Sequence, residues 1–564
     1  MLSDYISGAN FYNRAVYKKL IYGRGIKMRG KRIAALMLAM GMVVTAAAGC
    51  SKGENANTNT NTADQNKDTV AADNGEGSDT VSDDDDDDEE MAEINVALMA
   101  LGPIDTANSE AVQEKINELT EPAINVHVNL QWFDAGTYGT SVPMMIQGGD
   151  DLDLMMFTPV PSASYTAFLS ANQLMDITDL LDEYGQNIKE VQGDLIKGCQ
   201  LNGKIYGVGN YGGKGGYQVM IIRKDVLEEV NRLEDAEKAS SWSEIEDIMK
   251  DVVAAGYTGF INTDNEGGVL YPNGYFNGPD AFADNKCTDI IGDGNLLLST
   301  DTETDTVQCK YLTEDFKEKC ERVARWYDEG LVYKDAATSK DYGDTLIKNG
   351  VGVAEVIEGD GTSVPRVTAN TGHECIGIKI CNKEVMTSSC TKFGYGIPVT
   401  AKNPEAAMKY LNFIYTSEEA MNTLTWGIEG RDWVLNDEGY ATYPDGVTAE
   451  SVQYHTGDFL YGNQAITAVW EGSTLTREEQ MAEMAESGTS KYFGFQIDNT
   501  GLENSVTACY NVVKQYIGSL ASGSASTNWE KQYNEFTEAL KKAGIDDLVA
   551  AYQTQLDEWL ATQN

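Results

Sequence analysis

The sequence predicts an α/β fold with its core spread over two or more lobes, and three observations carry that prediction. Ile94, Val96 and Leu98 alternate with polar or small residues, a helical stretch follows, and Ile124, Val126, Val128 and Leu130 alternate again. That is strand, helix, strand, a βαβ unit whose strands should run parallel with a right-handed crossover. The chain has 564 residues, 42% hydrophobic and 23% charged, which is enough for more than one apolar core. Only one run, Ile33 to Ala48, approaches membrane-spanning length, and it falls short of the roughly 20 apolar residues needed.

That run has the layout of a secretory signal, with Arg29, Lys31 and Arg32 before it and small residues at its end. Met28 offers a second start, since MRGKR alone supplies a basic n-region. Gly49 and Cys50 resemble a bacterial lipobox, in which the cysteine is lipidated and becomes the new N-terminus, although Ala47 stands where that motif usually has leucine. The expectation is a signal peptide over 1–49, lipidation at Cys50 and anchorage on the extracellular face of a bacterial membrane. An uncleaved signal anchor and ordinary secretion are the alternatives.

Residues 50–93 read as a tether. They are rich in Asn, Thr, Asp and Gly, with too little apolar surface to offset their ordering entropy. Asp83 to Glu90 is an unbroken acidic block that contributes to a net charge of −46 and lacks the glycine turn of a calcium loop. Such a charge repels phosphate backbones, so nucleic acid is excluded as a partner.

After Ile94 the elements come in order. Ser109 can cap a helix with Val112, Ile116 and Leu119 inward, closed by Pro122. Val142 to Ile146 reads as helical and Asp150 to Phe157 as a buried strand. Ligands in open α/β sheets gather beyond the carboxyl ends of strands, which places Trp132, Phe157 and Tyr165 where a cleft would lie, or else at the edge of the core. Gly207, Gly209 and Gly212 fit a dinucleotide spacing, but no helix opens inside it. GVGNYGGKGGY is therefore read as a flexible crossover carrying Tyr211 and Tyr217. Trp242 opens a helix ended by Gly256, and Tyr271, Tyr275 and Phe276 mark an aromatic loop. Thr313 caps a helix with Phe316, Cys320, Val323 and Tyr327 inward, ending at Gly330. Val351, Val353 and Val356 build a strand, with Glu355 at its end. Asn403 caps a helix with Pro404 at its first position, and Ser417 caps the next, which stops at Gly427. Near the C-terminus Gly544 separates two helices, and Asp546 caps the second.

Several phrases together resemble the family 1 extracellular solute-binding proteins of bacterial ABC importers. They are GGDDLDLMMF, LMDITDLLDEYG, GKIYGV, the step from Tyr217 into Arg223, and above all Gly394 to Trp433. GIEGRDW resembles a sugar-associated branch, and Phe493 to Leu560 resembles the C-terminal domain of unknown function attached to it. The resemblance implies a two-lobed periplasmic-binding-protein-like fold with hinge crossovers and a ligand cleft between lobes. It implies lobe 1 at 94–216 and 394–450, and lobe 2 at 217–393 and 451–564 including the C-terminal helices. It carries over Glu355, Trp426, Glu429 and Trp433 as cleft-side residues. It further implies a monomer that captures a solute, an oligosaccharide stacked on aromatics such as Trp132, Tyr211 and Trp426, and delivers it to permease subunits without a cofactor. A peptide is the alternative ligand.

Catalytic and metal motifs are thin. His127, His373 and His455 show no metal-ligand spacing, and there is no nucleophile elbow or P-loop. A glycosidase needs only two carboxylates roughly 5 to 9.5 Å apart. With 88 acidic residues, a cell-surface glycoside hydrolase stays open beside a carbohydrate-binding adhesin. Of nine cysteines, eight remain after lipidation of Cys50. Cys309 lies near Cys320, and Cys375 near Cys381 or Cys390, so disulfides and buried thiols are both open.

Overall fold

The computed structural model describes residues 90–101, 106–212, 214–261, 282, 289–291, 298–339, 341, 343–449 and 451–563. The expected signal, Cys50, the tether, and Tyr271, Tyr275 and Phe276 lie outside these residues. In chain order the main strands are β1 Ala92–Ala100, β2 Val126–Asp134, β3 Leu154–Phe157, β4 Val208–Gly209, β5 Gly216–Arg223, β6 Ala354–Gly359, β7 Cys375–Lys383 and β8 Gly394–Gly396.

The first lobe is built on a five-stranded sheet ordered β2-β1-β3-β8-β4. β1 pairs in parallel with β2 from Ala92↔Val126 to Ala100↔Asp134, and with β3, as the βαβ reading requires. Helices cover both faces of β1, so Val96, Ala97, Leu98 and Met99 are all buried rather than alternating. The connecting helix, Thr106–Ile124, contains Pro122 instead of ending before it. Its neighbours there face solvent, and the turn stops at Asn125, which takes a left-handed φ of 53°.

β8 returns antiparallel to β3 and leads into the helix Pro404–Ile414. Asn403 occupies the expected cap position, but its side chain does not cap; it donates to the Glu93 carbonyl at 2.8 Å. The approach to the helix is held from a distance. Asp153, wholly buried, accepts from the backbone N–H of Lys402 and Asn403 with one oxygen and from Asn95 N–H with the other, at 2.8–3.0 Å. One carboxylate thus ties the start of β1, the approach to β3 and the returning helix. Ser417 caps the following helix, Glu418–Trp426, as expected. Leu460 and Tyr461 pack into this core, so the returning segment of the first lobe runs past the expected boundary at 450.

The second lobe holds a three-stranded antiparallel sheet, β6-β5-β7, with Phe260 bridging to Val332 and Ala354 beside it. The helix Trp242–Ala254 is capped by Ser241, and Glu314–Glu329 is capped by Thr313 and closed by left-handed Gly330. These helices meet at aromatic rings: Phe260 stacks on Trp326 at 5.3 Å, and Trp242 lies 6.1 Å from Trp326. Glu246 ties them. It accepts from Trp326 Nε1 at 2.7 Å and Arg325 Nη2 at 2.6 Å, and pairs with Lys250 at 2.9 Å. Burial pushes its carboxyl up, but these donors outweigh burial and hold it at about 2.

The C-terminal helices Glu503–Ala521, Trp529–Ala543 and Ile545–Thr562 share the same core, with Cys509, Val513, Phe536 and Tyr552 packed among residues such as Tyr311 and Trp326. Left-handed Gly544 ends the second of them as expected. Asp546 is not a cap; it lies inside the first turn of the last helix, where a negative charge suits the helix dipole.

All seven described cysteines, Cys199, Cys309, Cys320, Cys375, Cys381, Cys390 and Cys509, are buried free thiols, so the suggested pairings are not formed. Cys375 and Cys381 lie on one strand, where six extended residues span about 20 Å, well beyond disulfide reach. Glu355 is likewise not at the end of its strand but second in β6, and almost wholly buried.

Candidate ligand cleft at the lobe crossings

The chain passes between the two cores three times, near residues 210–216, 383–394 and 461–492. Backbone hydrogen bonds splice the passes together. Tyr211 N–H donates to Gly462 O and its carbonyl accepts from Gln464 N–H, each at 2.8 Å, while Val385 exchanges bonds with Gly488 and Ser490 at 2.9 Å. Gly216 has φ 125°, and a Cβ there would stand 2.6 Å from Gly359 O, so β5 and β6 could not close with any other residue at this point.

Around these crossings two groups of side chains stand out. The first is aromatic. Trp426, Tyr443, His455 and Trp470 form a ring cluster with centroids 4.5–5.7 Å apart. Trp132, at the carboxyl end of β2, meets Tyr454 edge-on at 6.2 Å, next to His455 in the chain. Tyr443, His455, Trp470 and Trp132 are each part exposed, offering flat apolar rings of the kind that stack on the apolar faces of polyols. Burial pushes the His455 imidazole down to about 4, against the opposing pull of Asp458, so it is neutral at pH 7.

The second group is charged. Lys383 Nζ and Lys392 Nζ converge on Glu358 at 3.0 and 3.7 Å. Burial pushes the Glu358 carboxyl up, but the two ammonium groups pull it far below the usual carboxylate range. Lys214, on the first crossing and 6% exposed, donates to Ser389 O at 3.1 Å. Burial lowers the pKa of both Lys214 and Lys392. Asn210 joins the two groups: its N–H donates to Phe393 O and its side chain to Phe459 and Leu460 carbonyls, which sets the segment of His455 and Asp458 beside that of Lys392. Asp458 in turn holds Arg477 at 2.7 Å, at the start of the helix Arg477–Glu486.

The residues singled out from the sequence separate into two sets. Phe157 and Tyr165 pair edge-to-face at 5.2 Å in the first core, with Tyr165 Oη donating to Cys199 O, and neither ring reaches solvent. Trp426 and Trp433 are also enclosed, their indole N–H groups spent on Ala468 and Gly427 carbonyls. Trp426 nevertheless forms the floor under Trp470 and His455. Glu355 is inside β6. Trp132, Tyr211, Tyr217 and Glu429 keep exposed surface. Tyr217 lies under Lys379 Nζ at 4.2 Å, and desolvation, then Glu483 and Asp360, push its phenol to about 12. Tyr443, His455, Trp470, Lys383 and Lys392 were not singled out. They sit in loops and crossings without periodicity, and no local pattern marks them.

Comparison with known proteins agrees with this architecture. A profile described as bacterial extracellular solute-binding protein matches residues 104–308, and one for the domain of unknown function DUF3502 matches 491–561. A carbohydrate ABC transporter substrate-binding protein of Streptococcus pneumoniae is 24% identical over 461 residues, 80% of this chain and 88% of the relative. The crystal structure of the N-glycan transport solute-binding protein from S. pneumoniae superposes with a TM-score of 0.69 at 21% identity, covering 84% of this chain and 100% of that one. An HMO-binding, ABC-transporter-associated solute-binding protein from Bifidobacterium longum infantis gives 0.55 at 14% identity, covering 84% and 99%. With two cores joined by three crossings and these two profiles in this order, the chain has a two-lobed fold similar to that of bacterial extracellular solute-binding proteins, and its C-terminal helices match the DUF3502 profile.

Proposed function

We propose that this chain captures an extracellular oligosaccharide between its lobes and delivers it to the permease of an ABC importer, acting as a binding protein and not as an enzyme. The observation that carries the reading is the cluster of part-exposed rings, Trp132, Tyr443, His455 and Trp470, at the carboxyl-end edge of the first-lobe sheet. Tyr211, Tyr217 and Glu429, each with exposed surface, are further candidates for ligand contact in this reading. The carbohydrate-binding relatives support the choice of ligand. Closure is driven by the ligand's greater affinity for the closed arrangement. The protein works as a monomer on the outer face of the cell membrane, held by lipid on Cys50, with residues 50–93 as its spacer.

A thermal-shift screen of the full-length chain against mono- and oligosaccharides, amino acids and short peptides tests this. A ligand at about 100 times its Kd stabilises the fold by roughly 2.7 kcal/mol, a shift of a few degrees. The expected result is a shift with one class of oligosaccharide, recovered chemically intact. A shift with peptides alone would overturn the carbohydrate assignment, and a cleaved sugar would overturn the binding-protein reading.

A further inference from the structure

Within the ring cluster the polar atoms are used unevenly. The indole of Trp426 spends its N–H on the Ala468 carbonyl at 3.1 Å, whereas among the described residues neither imidazole nitrogen of His455 bonds to the protein. Rings surround it instead: Trp470 lies 4.5 Å away and close to perpendicular, Trp426 4.8 Å away and Tyr443 5.7 Å away. Nδ1 is sealed from solvent without a partner, yet the residue keeps exposed surface. The nitrogen left for solvent or a ligand is Nε2.

The tautomer follows from that asymmetry. Burial holds the imidazole neutral at pH 7, so it carries a single N–H. A proton on the sealed Nδ1 would be an orphaned donor, which folded proteins avoid more strictly than an under-used acceptor, so the proton belongs on Nε2. His455 thus offers one uncharged donor at the edge of a surface made of aromatic rings. A hydroxyl, ring oxygen or amide carbonyl of a neutral sugar is matched by such a donor, while the apolar sugar face stacks on the neighbouring rings. A carboxylate would find no opposite charge at this nitrogen. The charged group that acts on the imidazole, Asp458, is itself negative and pairs with Arg477 at 2.7 Å.

We infer that His455, through Nε2–H, is the specificity-determining donor of the aromatic subsite, and that this subsite takes a neutral sugar residue and not an acidic one. This deepens the carbohydrate reading given above and rests on it.

The chain has three histidines, His127, His373 and His455, so the imidazoles of the full-length protein can be followed one by one by nitrogen NMR after isotopic labelling of histidine alone. Mannotriose, maltotriose, xylotriose, sialyllactose and trigalacturonate are titrated by calorimetry at pH 7, and the imidazole spectrum is recorded with each one that binds. The expected result is a neutral saccharide that shifts the Nε2–H signal of His455, slows its exchange with water and leaves His127 and His373 unmoved. His455→Phe, which keeps a ring and removes both nitrogens, should weaken that saccharide about fivefold, with circular dichroism confirming the fold. A bound saccharide that leaves all three imidazoles unchanged overturns the role of His455 while the carbohydrate reading stands. So does one that converts His455 to the doubly protonated form, since its partner is then an anion. Binding of no saccharide overturns the carbohydrate reading itself, and the assignment of His455 with it.

Discussion

In the first lobe, the parallel strands β1, β2 and β3 are sealed by a segment that comes back from the far side of the molecule at Phe393 and stays until beyond Tyr461. In the second lobe, the helices that follow Lys491 pack on the helix Glu314–Glu329 and on the strand Thr306–Cys309, in one apolar core with the antiparallel β6, β5 and β7. The first seal is fastened at a point, the buried Asp153 carboxylate with its three N–H donors. The second is spread over a large apolar surface, with Val513, Phe536, Leu540, Tyr552 and Leu556 all in one core with Trp242 and Trp326. The contrast teaches that the DUF3502 region is not an appended module. It is the missing face of the second lobe.

One truncation and two substitutions sharpen that contrast. Removing residues 491–563 should be the most damaging, because it strips the second core of its cover and forfeits more than the roughly 5–15 kcal/mol that holds a domain folded. Calorimetry should then show one unfolding transition, that of the first lobe; a truncated chain that keeps its second transition would show that the helices are dispensable.

Asp153→Ala should cost about 3–5 kcal/mol, since three backbone donors lose a charged acceptor in a dry environment. Urea unfolding measures it, and a loss under 1 kcal/mol would mean that water replaces the carboxylate freely.

Glu246→Gln should cost about 2 kcal/mol at neutral pH. The folded carboxyl titrates at about 2, below its ordinary value of 4.5, so its contribution is complete above that ordinary value and fades as pH falls towards 2. The wild-type and variant stabilities should therefore converge on acidification, and parallel curves from pH 7 to pH 2 would remove Glu246 from the account.

Local grammar in the sequence was enough for much of this. Thr313 with Gly330, Ser417 with its helix, and the βαβ alternation from Ile94 to Leu130 each involve residues within a turn or two of their partners. Asp153 defeated that grammar because two of its donors lie about 250 positions away, and Asn403, a sound cap by spacing, spends its side chain on the Glu93 carbonyl. The cleft was harder still. Phe157 ends its strand much as Trp132 nears the end of its own, but Phe157 and Tyr165 turn inward, where side-chain-free Gly207 leaves room for both rings. Tyr443, His455 and Trp470 converge only because loops that share no pattern are brought together by the returning segment.

The three crossings have a consequence for the gene as well as for the hinge. Each core draws on stretches separated by the other, so no uninterrupted reading frame encodes a whole lobe. A lobe could be exchanged between relatives only by recombination at several junctions at once, which favours change by point substitution inside the cleft over the shuffling of halves.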